Sequence, residues 1–287
     1  MASLKDLRRR IRATKSMQQI FKAMEMVAAA KLRRAQQRAQ AASPYAAKIS
    51  AMLANLSGAA AELEHPLFKV REVRTTALVL ITADRGFAGA YNTAILRVAE
   101  QRLKVAPPGS IQCVVVGRKG RDYLRRRGYS VLAAHTDLPG EASLELARRI
   151  TNDLTERFIA GEVDRVEILY THFVNAIVRR VLTTTFLPIG TGIGSGDATS
   201  AAGSAIFEPD AESIFAELLP RYATAMLYAS MADALASEHS ARMVAMGSAR
   251  KNAGELVDAL TLTRNRMRQA AITREISELV GGAEALN

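Results

Sequence analysis

The sequence predicts a protein of mixed α+β/α/β class: a long antiparallel coiled coil of N- and C-terminal helices carrying an inserted small, mostly parallel α/β (Rossmann-like) domain. Three observations predict it. Small and apolar residues recur at alternating three- and four-residue steps at both ends of the chain, the stripe of a coiled-coil seam. Short apolar runs alternate with helix-like stretches in the middle, as in strand–helix–strand units. Aromatics make up only 5% of the 287 residues and Trp is missing, which suits narrow helical seams better than a thick aromatic core. The reading divides the chain into an N-terminal shaft helix (1–58), an α/β domain (70–190), a flexible loop (190–208) and a C-terminal shaft helix (209–287).

The first helix has its seam at Leu4, Leu7, Ile11, Thr14, Gln18 and Phe21, then continues through Met24, Ala28, Ala35, Ala39 and Ala42 to Ile49, Leu53 and Leu56. Ser3 followed by Asp6 is a capping-box start and Gly58 a stop. Pro44 is expected to bend this helix or break its hydrogen bonding locally.

In the middle, Thr76–Thr82, Gln112–Gly117, Ser130–Ala134, Arg165–Thr171 and Val181–Phe186 read as strands. Asn92–Leu103, Lys119–Arg127 and Ser143–Ala160 read as the helices between them. The Gly- and Ser-rich stretch from 190 to 205 reads as the flexible loop.

The C-terminal seam runs Ala229, Ala232, Ala236, His239, Met243, Met246, Arg250, Ala253, Val257, Leu260, Arg264, Met267 and Ala271. Pro220 is placed in the first turn of this helix and Pro209 at the start of a shorter one before it. His239, Arg250 and Arg264 occupy positions that usually hold leucine. An alanine seam lets helices approach closely but buries little area, at about 0.8 kcal/mol per methylene. A partner is therefore expected to sheathe part of the pair.

Charge narrows the partner. Residues 1–48 hold twelve basic side chains against two acids, nearly all of the net +11. Such a segment faces nucleic acid, an anionic membrane surface or an acidic protein. Aromatics are sparse there (Phe21 and Tyr45), against the interleaving that nucleic-acid binders use, and the small seam suits a partner helix better than a bilayer. A transit peptide shares this composition, but the helical pattern runs on without a break. No apolar run is long enough for a membrane-spanning helix. The lone Cys113, in an apolar strand, is read as buried; an internal disulfide is excluded and an intracellular setting expected.

Catalytic chemistry is hard to find. Thr82–Gly89 and Gly117–Gly120 follow strands as phosphate loops would, yet neither has the glycine spacing of a Walker or dinucleotide motif. The plainer reading is a tight turn, with Asp84 and Arg85 pairing locally or capping a helix. His65, His135, His172 and His239 lack ligand-spaced neighbours, so no metal, cofactor or catalytic residue is assigned.

Four stretches resemble one family. The N-terminal run Ser3–Ile11 with Lys22–Ala35, the segment Thr82–Asn92, the segment Ser237–Met246 and the tail Arg268–Ala283 are similar, in order and spacing, to gamma subunits of F-type ATP synthases. That resemblance implies a non-catalytic rotor: paired terminal helices turning inside a hexamer of alpha and beta subunits, with the α/β domain beside the epsilon subunit and the ring of membrane c subunits. It implies an acidic loop on beta facing the basic collar. By matching position, it assigns sheath contacts to Lys22, Met24, Arg242, Gln269, Thr273, Glu275 and Glu278, with the last three coupled to Met24. Phe207 and Glu208 are assigned to the foot that meets epsilon and the ring, although the family commonly has Tyr at the first. The chain lacks the cysteine-bearing insert of chloroplast-type relatives, so thiol regulation is not expected. It opens directly on the family motif, which leads us to expect a bacterial protein on the cytoplasmic face of the inner membrane. The alternative reading is a basic coiled-coil nucleic-acid-binding protein.

Overall fold

The structure is a computed structural model that describes residues 3–55, 65–189 and 211–284. It divides into two compact units: Met1–Ala28 with Met243–Asn287, and Ala29–Arg242. The helices α1 (Leu4–Asn55) and α5 (Ala211–Glu284) each contribute to both.

The larger unit is built on a five-stranded sheet. In chain order come β1 (Thr76–Ile81), α2 (Tyr91–Val105), β2 (Ile111–Val116), α3 (Arg118–Arg126), β3 (Val131–His135), α4 (Leu144–Ala160), β4 (Arg165–Phe173) and β5 (Arg179–Leu187). The strands lie in the order β3-β2-β1-β4-β5. All neighbours are parallel except β4 and β5, which form an antiparallel hairpin at one edge. The mostly parallel sheet read from the apolar runs is thus present, each strand within a few residues of its expected span.

Alternation along the strands sorts two cores. Ala77, Val79 and Ile81 face Ile150, Leu154 and Phe158 of α4, together with Phe215, Leu219, Leu227 and Ala234 of α5. Leu78, Leu80, Cys113 and Val115 face Ile95, Leu96 and Leu124 on the opposite side. Cys113 is fully buried, and burial pushes its thiol pKa up to about 11.

Pro220 departs from expectation. It lies inside α5 rather than in its first turn, because the helix already starts at Ala211. Phe215, Leu219, Tyr222 and Ala223 are buried on both sides of it, and their packing holds the helix through the proline. The ring itself is exposed, so the carbonyl it leaves unbonded sits on the wet side. Pro44 likewise does not end α1, which stays helical from Leu4 to Asn55. Gly58, Pro209 and the 190–205 loop lie outside the described residues.

In the smaller unit α1 and α5 run antiparallel. Glu25 pairs with Arg250 at 3.0 Å and lies against Gly247, while Gln18 lies against Gly254: numbers fall on one helix as they rise on the other. Leu7, Ile11, Thr14 and Ala28 are buried on α1, and Met246, Ala253 and Val257 on α5. The capping box at Ser3 is formed, the Asp6 amide donating to the Ser3 hydroxyl at 3.2 Å.

Candidate functional site at the fastening of helix α5 to the sheet

Within the larger unit, polar side chains fasten one stretch of α5, residues 233–242, to the loops at one end of the sheet. At 1.5 Å per residue that stretch is about 14 Å long. The Asp233 carboxylate accepts the Phe173 amide at 2.9 Å and pairs with His172 Nδ1 at 2.6 Å, which ties α5 to the end of β4. The Ser240 hydroxyl donates to the Ala176 carbonyl at 2.7 Å and accepts from Arg179 at 3.1 Å, which ties it to the β4–β5 turn.

The loop after β1 makes the other attachments. Ala83, Ala88 and Tyr91 pack with Ala241 of α5. The Tyr91 hydroxyl donates to the Ala234 carbonyl at 3.2 Å, and burial holds its pKa well above the ordinary phenol value, so it stays a donor. Arg242 completes the set. Its guanidinium donates to Glu238 at 2.6 Å and to the Gly86 carbonyl at 3.3 Å, and both side chains of the ion pair are only 13% exposed. Burial raises the Glu238 pKa, with Arg242 pulling the other way. Its other terminal nitrogen faces His239 Nδ1 at 3.3 Å. A guanidinium can only donate, so Nδ1 accepts and the imidazole proton resides on Nε2. Burial lowers the His239 pKa to about 4, with Arg242 and Lys31 adding to the effect.

The two loops that follow strands are internally committed. At the start of α3 the amides of Arg118, Lys119 and Gly120 donate to the Asp84 carboxylate (2.7 Å), the Ala83 carbonyl (3.0 Å) and the Thr82 hydroxyl (2.9 Å). These are the donors a phosphate would need. Gly117 has φ of +101°, and a Cβ there would stand 2.2 Å from the Thr82 carbonyl oxygen, so only glycine fits the turn. Asp84 is therefore a cap for α3, and its second oxygen accepts the Leu138 amide at 2.6 Å. What this arrangement does chemically is hold, not react: hydrogen bonds of about 1 kcal/mol each between neutral groups, about 1.5–3 kcal/mol where the Asp233 carboxylate or the Arg179 guanidinium takes part, and one largely buried ion pair resist shear between helix and sheet.

The assigned sheath residues are spread over both units. Lys22 is exposed and Met24 half-buried on α1; Gln269, Thr273, Glu275 and Glu278 are exposed on α5. The antiparallel register sets Met24 near residue 250 of α5, so Gln269 lies about 28 Å further along that helix. Met24 and the residues that the resemblance couples to it are not brought together. Arg242 belongs to the fastening rather than to an open surface, and Phe207 and Glu208 lie outside the described residues. Sequence reading missed Asp233, Ser240 and Tyr91. The available signal was Asp233, Ser237 and Ser240 at four- and three-residue steps within an alanine run, where a polar stripe faces something polar.

A family profile described as ATP synthase matches residues 3–286. The ATP synthase gamma chain of Desulforamulus reducens is 47% identical over 286 residues, covering 100% of both chains. That of Moorella thermoacetica is 45% identical over 287 residues, again with 100% coverage of both. A chain in the Euglena gracilis mitochondrial ATP synthase (OSCP/F1/c-ring, rotational state 3) superposes with a TM-score of 0.71 at 19% identity, covering 99% of this chain and 94% of that one. A chain in the central stalk/c-ring of the Tetrahymena thermophila enzyme gives 0.61 at 22% identity, covering 80% and 99%. At such identities the structural likeness speaks for a shared fold. The full-length sequence matches, together with helices and sheet of the expected order, mean that this chain belongs to the family of ATP synthase gamma chains.

Proposed function

We propose that the chain is the central rotor-stalk subunit of a proton-translocating F-type ATP synthase, coupling rotation of a membrane c-ring to ATP synthesis or hydrolysis in the beta subunits of an alpha–beta hexamer. One observation carries this reading. Every residue of α5 from Arg268 to Gly281 is exposed, including an apolar stripe of Ile272, Ile276, Leu279 and Val280 at helical spacing. A stripe 48–71% exposed over more than two turns has no reason to persist unless another protein covers it.

The subunit itself is non-catalytic and acts mechanically. Rotation entering at the foot, for which Phe207 and Glu208 are the proposed contacts with epsilon and the c-ring, passes through the sheet into α5 at residues 233–242. As α5 is one helix from Ala211 to Glu284, the twist continues to the end inside the hexamer. There Lys22, Met24, Gln269, Thr273, Glu275 and Glu278 are the proposed bearing contacts. Arg242, engaged by Glu238, Gly86 and His239, is proposed to serve the sheath by holding α5 in position. Among the described residues no helix is long and apolar enough to cross a membrane, which supports peripheral attachment. Bacterial relatives at 45–47% identity favour the cytoplasmic face of an inner membrane. The nucleic-acid alternative has no supporting observation beyond the basic charge.

The test uses a Leu279→Cys variant. Cys113 is buried with a raised pKa and stays silent to maleimide, so labelling reports position 279 alone. The isolated chain should label at once, and labelling should slow at least tenfold when the chain is co-expressed and purified with its alpha and beta subunits. Elution apart from them, with undiminished labelling, overturns the proposal.

A further inference from the structure

Between α1, the loop following β3 and the middle of α5 lies a cavity of about 450 Å³, in the size range of small-molecule sites. We propose that it binds a small phosphate-bearing anion, held between Lys31 and His239. The inference is independent of the rotor reading, and nothing in the fastening described above uses either donor.

His239 is 4% exposed, lines this cavity, and carries its proton on Nε2, which has no hydrogen-bond partner among the described residues. A buried donor left unmet is costly and marks a place where an acceptor is missing. Lys31 lines the same cavity from α1 and has no ion-pair partner among the described residues. Its ammonium lies over Gly140, where a Cβ would stand 3.4 Å from Nζ. The Gly140 carbonyl faces the His239 ring from outside hydrogen-bond geometry, a weak acceptor that favours the charged ring as the smallest of four influences. Two donors from two helices, neither held at hydrogen-bond distance, thus converge on one glycine.

The acids around the cavity are committed elsewhere. Asp84 accepts the Arg118 and Leu138 amides, Asp137 pairs with Arg118, and Glu238 pairs with Arg242. Glu141 is engaged by Arg38. Arg85 lines the cavity with no such partner among the described residues, and Arg34 lines an adjoining cavity of about 210 Å³ that shares Lys31 and Gly140. Across the two cavities six basic side chains face four acidic ones. A tetrahedral oxyanion accepts from an ammonium and an imidazole N–H at once, and phosphate brings the charge that this surplus lacks. The remaining volume, bordered by Leu235, Met231 and Tyr91, admits an ester substituent.

The experiment titrates the full chain with inorganic phosphate and, separately, with glycerol 3-phosphate by calorimetry, holding ionic strength constant with chloride. Saturable binding of one equivalent is expected. Tighter binding of the ester identifies a phosphate monoester as the ligand; equal affinity identifies free phosphate. Lys31→Ala and His239→Gln should each weaken binding tenfold or more, the loss of a hydrogen bond to a charged group. Arg126→Ala, on α3 outside the cavity, should change it less than twofold. Lys31 is exposed, so its variant remains informative if His239→Gln perturbs folding. Absence of saturable binding up to about 10 mM, where affinity falls to the weak end of the millimolar range, overturns the site. So does binding that Arg126→Ala weakens as much as Lys31→Ala.

Discussion

Two stretches of the same helix, α5, obey different rules. From Phe215 to Arg242 nearly every turn buries something: Phe215, Leu219 and Leu227 are at most 1% exposed, and polar side chains bolt the rest to the sheet loops. From Arg268 to Gly281 every residue is exposed. Helix propensity does not decide the difference, since the buried stretch is the one that carries Pro220. The difference is the partner. One stretch has a sheet from its own chain; the other has only what a second protein brings. Stability of the isolated chain should therefore respond to the first stretch, and activity of an assembly to the second.

Phe215→Ala removes a buried ring stacked edge-on with Phe68 at 5.9 Å and should cost about 3–5 kcal/mol in denaturant unfolding of the isolated chain. Leu279→Ala, a position 71% exposed, should change it by less than about 0.5 kcal/mol. Comparable costs at the two sites would mean that the exposed stretch is packed in solution.

Arg242→Ala comes next. It strands the Glu238 carboxylate, 13% exposed, and removes the bond to Gly86, so a loss of about 2–4 kcal/mol is expected. Adding Glu238→Gln should recover part of it. A residue reserved for a sheath would leave the isolated chain unaffected, so this measurement decides which stretch Arg242 belongs to.

The same contrast explains how much the residues disclosed. The strands, their mostly parallel arrangement and the buried Cys113 were legible because short apolar runs alternating with helix-like stretches have one economical solution; the strand order and the antiparallel β4–β5 edge were not. The antiparallel seam was legible from three–four spacing, and the roles of Arg250 and Asp84 followed once partners came within reach, across the seam and at the cap of α3. Pro220 was misplaced because local rules stop helices at proline, while tertiary packing of Phe215, Leu219 and Tyr222 overrides them. The polar stripe of the fastening was visible in the sequence, but its partners were not. Asp233 meets His172, and Ser240 meets Ala176, across some sixty residues of sequence. The bearing residues came from resemblance alone, since an exposed helix face carries no mark of what covers it.

A smaller effect follows from His239. Its folded pKa of about 4 lies below the ordinary 6.5, so the native ring binds a proton later than the unfolded one. The stabilisation is fully present above pH 6.5 and is lost as pH falls through 4, on the order of 3 kcal/mol. His239→Gln should flatten this part of the pH–stability profile. A wild-type profile unchanged by the substitution would mean that the ring is not held neutral in the fold.

The smallest effect on the chain itself is expected at Met24. Met24 is half-buried, beside the exposed Lys22, so Met24→Lys should alter isolated stability by no more than about 1 kcal/mol. In the assembled rotor the added ammonium meets the acidic sheath loop that the family resemblance supplies. A charge-assisted bond is worth about 1.5–3 kcal/mol, against 0–1 for the exposed ion pairs of a smooth bearing. One angular position then becomes a trap, and ATP hydrolysis should survive while proton pumping per ATP falls. The defect should shrink as salt screens the new pair. Gln269 and Thr273 share a helix face about 28 Å from the level of Met24, so substitutions there cannot relieve the trap by contact. Relief from them would have to come through displacement of α5 within its sheath. Hydrolysis and pumping measured together across a range of salt decide the matter: an unchanged ratio at low salt makes Met24 a seam residue and moves the bearing elsewhere.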